Sequence, residues 1–162
     1  MKLIVTHKAP DLDAIASSWM MKRFLPGWEN AEFRFVPAGE KLAGVYIRSG
    51  DAIEKVDSHD VIHVDTGLGP LDHHQEENDS VCATSLAFDY VLSSNESLLR
   101  DENKVEALKR IVGYAVNEDH FQEVFWPDPA NEAYDFSIVS LIHGIKLMYP
   151  KDDQSVMSFG VD

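Results

Sequence analysis

The spacing of apolar positions changes character along this 162-residue chain. Residues 2–6 (Lys-Leu-Ile-Val-Thr) form a short apolar run and predict a buried strand. Ala9-Pro10 ends it, Asp11 stands where a helix N-cap is expected, and residues 12–24 predict a helix. Ile15, Trp19, Met20 and Phe24 supply its inward face, and Pro26-Gly27 stops it. Residues 32–36 alternate as Glu-Phe-Arg-Phe-Val, a half-buried strand. Residues 43–47 read as another short strand, and 60–65 (Asp-Val-Ile-His-Val-Asp) as a buried one. Helical spacing then takes over. Residues 82–93 predict a helix that begins near Ser80, and 102–117 a second with positions 105, 108, 111, 112, 115 and 116 on one stripe. Trp126-Pro127-Asp128-Pro129 is a break, and a last helix spans 132–148, before Pro150. Residues 151–162 show no pattern. Strands alternate with helices in the first half, so the expected fold is a single α/β domain. It has a mostly parallel central sheet flanked by helices over residues 1–150, and a tail over 151–162.

Composition narrows the class. Hydrophobic residues make up 44% and charged residues 26%, as in ordinary soluble domains. No apolar run approaches the roughly 20 residues that span a bilayer. The apolar start is too short for a signal peptide, and Asp11 and Asp13 interrupt it. Cys82 is the only cysteine, so no internal disulfide forms and a cytoplasmic location is expected. The net charge of −14 opposes binding of long nucleic acid, because phosphate contacts supply most non-specific affinity.

The candidate chemistry lies just after the strands. Thr6-His7-Lys8-Ala9-Pro10-Asp11-Leu12-Asp13-Ala14 follows the first, Asp65 ends the 60–65 strand, and Asp72-His73-His74-Gln75 follows a turn containing Gly67, Gly69 and Pro70. In open α/β sheets, ligands gather at the carboxyl ends of strands, so both clusters are expected on one edge. A helix N-terminus stabilises a carboxylate by only ~0.3–1 kcal/mol, too little to hold several together. Cations are required. A mixed oxygen and imidazole set suits manganese or magnesium, and without cysteine in either cluster a structural zinc site is disfavoured. Two ions ~3.5–4 Å apart, bridged by a carboxylate, are a common device for phosphoester hydrolysis.

The pattern resembles the DHH phosphoesterase superfamily, which includes manganese inorganic pyrophosphatases, single-strand exonucleases, exopolyphosphatases and oligoribonucleases. His7, Asp11, Asp13 and Ala14 match its first motif (His-x3-Asp-x-Asp-Ala), Asp65 its second, and Asp72-His73-His74 the third, which names the family. Val81-Cys82-Ala83-Thr84-Ser85 resembles the small-residue helix start that follows. Asp119 is the choice for the fourth, with Glu118 or His120 as substitutes. Gln75 resembles a branch of predicted metal-dependent hydrolases in which Gln follows the histidine pair. The likeness spans roughly residues 3–120.

The resemblance implies two divalent ions, manganese before magnesium. His7, Asp11 and Asp65 would hold the first. Asp13, Asp65, His73 and Asp119 would hold the second, with Asp65 bridging. His74 would contact the substrate phosphate, and Asp72 would orient a histidine from behind. Lys8 and Arg48 are further candidates to approach an anionic substrate. Family enzymes also carry a C-terminal lid domain with basic or Gly-rich elements. Residues after Asp119 suffice for one helix and a tail, so the chain is expected to be a natural single-domain form, a form whose lid a partner supplies, or a fragment in which 151–162 begins a missing domain.

Each residue also has a plainer reading. Asp11 is an N-cap, Asp65 and Asp72 are turn residues, and Asp119 is a helix-end carboxylate. His63 belongs in the core, and His59, His120 and His143 on surfaces or helices. Trp19, Trp126 and Cys82 belong to packing. The joint pattern favours a phosphoesterase or phosphoanhydride hydrolase acting on a small phosphorylated substrate. A non-catalytic metal- or nucleotide-binding module that needs a lid or partner is the second reading. An exonuclease or oligoribonuclease on short nucleic acids is the third. No membrane partner is expected, and a homo-oligomer is compatible.

Overall fold

Strand β1 (Lys2–His7) is the buried spine of the molecule, with Ile4, Val5 and Thr6 fully inaccessible. The structure is a computed structural model and describes residues 1–43, 50–75 and 77–161. β1 pairs in parallel with β2 (Glu32–Val36) on one side and with β4 (His59–His63) on the other. β3 (Ile53–Val56) joins the free edge of β4 in antiparallel register, giving the order β2-β1-β4-β3. The sheet is therefore mixed rather than parallel throughout. β3 escapes a sequence reading because Ile53-Glu54-Lys55-Val56 carries two charges in four residues. It is held as the outer arm of a hairpin whose turn places Asp57 at φ +52°. The expected strand over 43–47 falls almost wholly outside the described residues.

Side chains alternate across the sheet with period two. Ile4, Phe33 and Ile62 enter the main core, while Leu3, Val5, Val36, Val56 and Val61 form a smaller cluster on the other face with Leu42. The helices share the main core, so they gather on one face of the sheet instead of flanking it. α1 (Leu12–Phe24) carries the chain from β1 back to β2, and the Asp11 side chain caps it by accepting the Ala14 N–H at 3.1 Å. α2 (Ala83–Ser94), the short α3 (Glu96–Leu99) and α4 (Glu102–Asp119) follow. α1 packs against α2 and α4, which places the start of α2 and the end of α4 around the β1 exit.

The last third departs from expectation twice. The helix expected over 132–148 is split into a 3-10 turn (Glu132–Phe136) and α5 (Ile138–Met148). Ser137 causes the break, since its hydroxyl accepts the Ser140 N–H at 3.2 Å as an N-cap. The expected tail is instead largely helical: Asp153–Val161 forms α6, with Val156 and Met157 buried against the core. Asp152 accepts the Ser155 N–H at its start. Gly160 permits the close approach to α1, because a Cβ there would lie 2.4 Å from Ile15 Cγ2. The α6 seat is thus made by α1, far away in sequence. Among the described residues no helix is long and apolar enough to cross a membrane.

Candidate metal centre

His7 is the last residue of β1, and Asp65 stands two residues beyond β4. These strands are parallel neighbours, so their carboxyl ends meet at one edge, where the chain leaves β1 toward β2 and β4 lies on the opposite side. The Val64 N–H donates to Val5 O at 2.9 Å and keeps the two exits together. Asp65 then adopts φ +53°, a left-handed conformation that Asp tolerates better than most residues. Its N–H donates to Leu71 O at 3.0 Å, closing the loop that brings back Asp72, His73 and His74. Gly67, at φ +81°, lets this loop pass Lys41, whose Cγ would lie 3.0 Å from an added Cβ.

Asp65 is the centre of the arrangement. Its Oδ2 lies 3.2 Å from His7 Nε2, while its Oδ1 lies 3.6 Å from His73 Nε2 and 3.7 Å from His74 Nδ1. Asp11 Oδ2 completes the first group at 3.7 Å from His7 Nε2. Asp119 Oδ2 lies 3.4 Å from His73 Nε2. Three sets of ligand atoms converge within 4.8 Å: His7, Asp11 and Asp65; Asp65, His73 and His74; and His73, Asp119 and His120. One carboxylate therefore presents an oxygen to each of two neighbouring groups.

Hydrogen bonds behind the cluster orient it. His7 Nδ1 is 2.8 Å from Lys8 O; as a donor to that carbonyl it leaves Nε2 for the Asp65 side. Asp72 is buried and accepts from the Leu68 N–H at 2.7 Å, the His74 N–H at 3.1 Å and His74 Nδ1 at 2.7 Å. It thus fixes the His74 ring and leaves Nε2 free on the half-exposed side. Asp13 is deeply buried and accepts the Ala83 and Thr84 N–H groups, each at 2.7 Å, so it also caps α2. Its Oδ2 remains 3.7 Å from His73 Nε2, but it sits further back than Asp119 and belongs to none of the three converging sets. His120, read from sequence mainly as a surface or helix residue, joins the third set while its Nε2 bonds Val81 O at 2.9 Å. Lys8 is exposed, with no side-chain contact to the cluster, and Arg48 lies outside the described residues.

The cluster is short of positive charge. Among the described residues, no Lys or Arg forms an ion pair with Asp11, Asp13, Asp65, Asp72 or Asp119; histidines are their ion-pair partners, and Lys146 acts on Asp11 only from further away. Burial opposes the charge on His7, yet Asp11 and Asp65 override it and push its pKa up to about 10. Asp65 is the main cause of the rise of His73 to about 9, against the effect of burial. Burial and the nearby Asp65 charge push Asp13 up, and burial does the same to Asp119. Asp65 Oδ1 and His73 Nε2 are both buried with no hydrogen-bond partner, an arrangement that is costly unless a ligand satisfies them. The converging donors are the carboxylates of Asp11, Asp65 and Asp119, with Asp13 behind them, and imidazoles with no thiolate, so these residues fit hard or borderline divalent ions.

A cavity of about 430 Å³ opens beside the cluster, bounded by Asp11, Asp13, His74 and Asp119 on one side and by Leu12, Val139 and Ile142 on another. The Cys82 thiol at the start of α2 is buried, and burial pushes its pKa up, so it is no nucleophile. Comparison with known proteins finds no family model, no curated protein and no solved structure that matches this chain.

Proposed function

We propose that this chain is a phosphohydrolase of the DHH type, with two divalent ions, manganese before magnesium, held on either side of Asp65. The observation that carries the reading is the Asp65 carboxylate, which turns one oxygen to His7 and the other to His73 and His74. His7 and Asp11 would hold one ion with Asp65. His73 and Asp119 would hold the other with Asp65, with Asp13 and His120 close behind. Bound there, such ions supply Lewis-acid activation of water and offset phosphate charge.

The chain's own residues do the rest. Lys8 O and Asp72 fix the His7 and His74 rings before substrate arrives, which spares reorganisation during reaction. His74 Nε2, on the open side of its ring, would face a phosphate oxygen. In hydrolysis, a water oxygen bonds to phosphorus, the ester P–O bond breaks, and a proton passes to the departing oxygen. His74 is positioned to steady that charge. The absence of Lys and Arg from the described cavity lining, together with the net charge of −14, favours a small phosphorylated compound over a polynucleotide. A cytoplasmic site of action accords with the single cysteine.

One observation favours the second reading, a module completed by a partner or lid. Phe121, Phe125, Phe136 and Leu147 are each more than 70% exposed, a large apolar area on the same segment that borders the cavity. Hydrolysis decides between the two. Manganese-loaded protein should release phosphate or alcohol from aryl phosphates or short phosphoanhydrides, and anomalous scattering should place two ions beside Asp65. Asp65→Asn should lose activity by more than the roughly 10–100-fold that outer substitutions cost. Turnover that survives chelation, or survives in Asp65→Asn, overturns the hydrolase.

A further inference from the structure

We infer that the organic part of the substrate carries a cationic ammonium group, recognised by Glu118, Glu123 and the rings of Trp126 and Tyr134. This inference rests on the phosphohydrolase reading and names its substrate class: the phosphoester of an amino alcohol.

Away from the candidate ligands, the 430 Å³ cavity is walled by Glu118, Glu123 and His143. A second cavity of about 340 Å³ shares these three residues and Val139, so the two lie side by side. Trp126 and Tyr134 line the second cavity, with ring centroids 5.2 Å apart and planes tilted by 52°. Tyr114 backs Trp126 at 5.9 Å. The Tyr134 hydroxyl donates to Pro127 O at 2.9 Å, which fixes its ring in advance. Its loop is held as well, because the Asn131 side chain accepts the Ala133 N–H at 2.9 Å and donates to Asp128 at 2.9 Å.

The charge at this place is unbalanced. Glu123 Oε2 is buried with no hydrogen-bond partner, whereas Glu118 is held by the Tyr114 hydroxyl and faces His143; among the described residues neither glutamate forms an ion pair with Lys or Arg. A buried acceptor of this kind calls for a donor or a cation. Two features select an organic cation over a metal ion. Aromatic faces attract a weakly hydrated ammonium through their quadrupoles. No set of three ligand atoms converges here among the described residues, unlike at Asp65. The substrate would thus place its phosphate at the candidate ligands and its ammonium between the carboxylates and the rings. An aliphatic tether would run along Val139.

The test compares phosphocholine with its neutral isostere 3,3-dimethylbutyl phosphate, using the manganese-loaded full chain. We expect kcat/KM to favour phosphocholine by roughly tenfold, the scale of a partly desolvated cation–π contact with a nearby carboxylate. Glu123→Gln and Trp126→Leu should each bring that ratio toward one. A binding arm needs no turnover: tetramethylammonium, followed by its methyl proton resonance, should bind the metal-free chain saturably and lose affinity in Glu123→Gln. Equal turnover of the two phosphates overturns the cation subsite and leaves the hydrolase standing. Tetramethylammonium binding without hydrolysis of any phosphoester overturns the hydrolase and leaves the subsite standing. Displacement of tetramethylammonium by manganese in Asp65→Asn would overturn the subsite in favour of a further metal position.

Discussion

Two buried histidine–carboxylate clusters lie within a few residues of each other, and they have been finished differently. In one, His63 Nδ1 faces Glu54 Oε2 at 3.1 Å, Leu42 N–H donates to His63 Nε2 at 3.0 Å, and Lys41 Nζ reaches Glu54 Oε1 at 3.3 Å. Glu54 meets Lys41, so the charge closes within the chain, although Glu54 Oε2 and His63 Nδ1 make no hydrogen bond. In the other, the ion-pair partners of Asp11, Asp13, Asp65 and Asp119 are all histidines, with Lys146 acting on Asp11 only from beyond ion-pair distance. Residue type and burial are alike in both. What separates a structural pair from a candidate metal centre is whether the protein supplies its own countercharge.

The largest expected effect breaks the first cluster. Lys41→Met leaves Glu54 without its lysine in a site only 6% exposed, and should cost about 3–5 kcal/mol of folding stability at pH 8. The same change should leave manganese affinity unaltered. Asp119→Asn should do the reverse: it removes a carboxylate that burial disfavours, so the metal-free protein melts higher while manganese binding weakens. Chemical denaturation and metal titration on both variants check this, and a loss of metal-free stability in Asp119→Asn would erase the distinction.

A smaller effect sharpens the second cluster. Asp72 touches no candidate ion and only orients His74, so Asp72→Asn should reduce activity by about 10–100-fold. The loss should fall on kcat more than on metal affinity, as judged by manganese titration alongside steady-state kinetics.

The smallest effect is in pH, and its sign differs between the clusters. The folded pKa values of His7 and His73, about 10 and about 9, lie above the ordinary 6.5. Their contribution to metal-free stability is therefore complete below pH 6.5 and lost as pH rises through 9 to 10. Burial instead lowers the pKa of His63, helped by Lys41 and opposed by Glu54. Its contribution is complete above pH 6.5 and lost as pH falls below that value. Manganese competes with the protons on His7 and His73, so binding at pH 7 should release roughly two protons and tighten as pH rises. Calorimetry in buffers of different ionisation enthalpy counts them, and a count of zero would mean that these histidines are not ligands.

Much of the first half is legible without coordinates. β1, α1 and β2 follow from local spacing, because an apolar run, an N-cap aspartate and a Pro-Gly stop act within one turn of each other. His7 and Asp65 are legible as candidates because they stand at strand ends, and His73 because it belongs to the Asp72-His73-His74 triplet in the loop after β4. The second half is less so. β3, the break at Ser137 and α6 depend on partners that are distant in sequence or on one hydroxyl. His120 is legible only as a substitute for Asp119, since its place beside His73 depends on how α4 docks. Asp13 shows the converse: its motif position is plain, but its second task of capping α2 is visible only once Ala83 and Thr84 arrive.

By itself the sequence determined the element types where hydrophobic period and caps agree, and the residue chemistry available at each strand end. It also determined the acidic balance and the single cysteine. Tertiary structure alone decided which carboxylates converge without a countercharge, that β4 rather than β2 brings Asp65 beside His7, and that Glu118 and Glu123 meet Trp126 and Tyr134 around a cavity. The reason is physical. Propensity and capping act over a few residues, whereas charge compensation depends on every group brought within a few ångströms, and only the folded chain sets those distances.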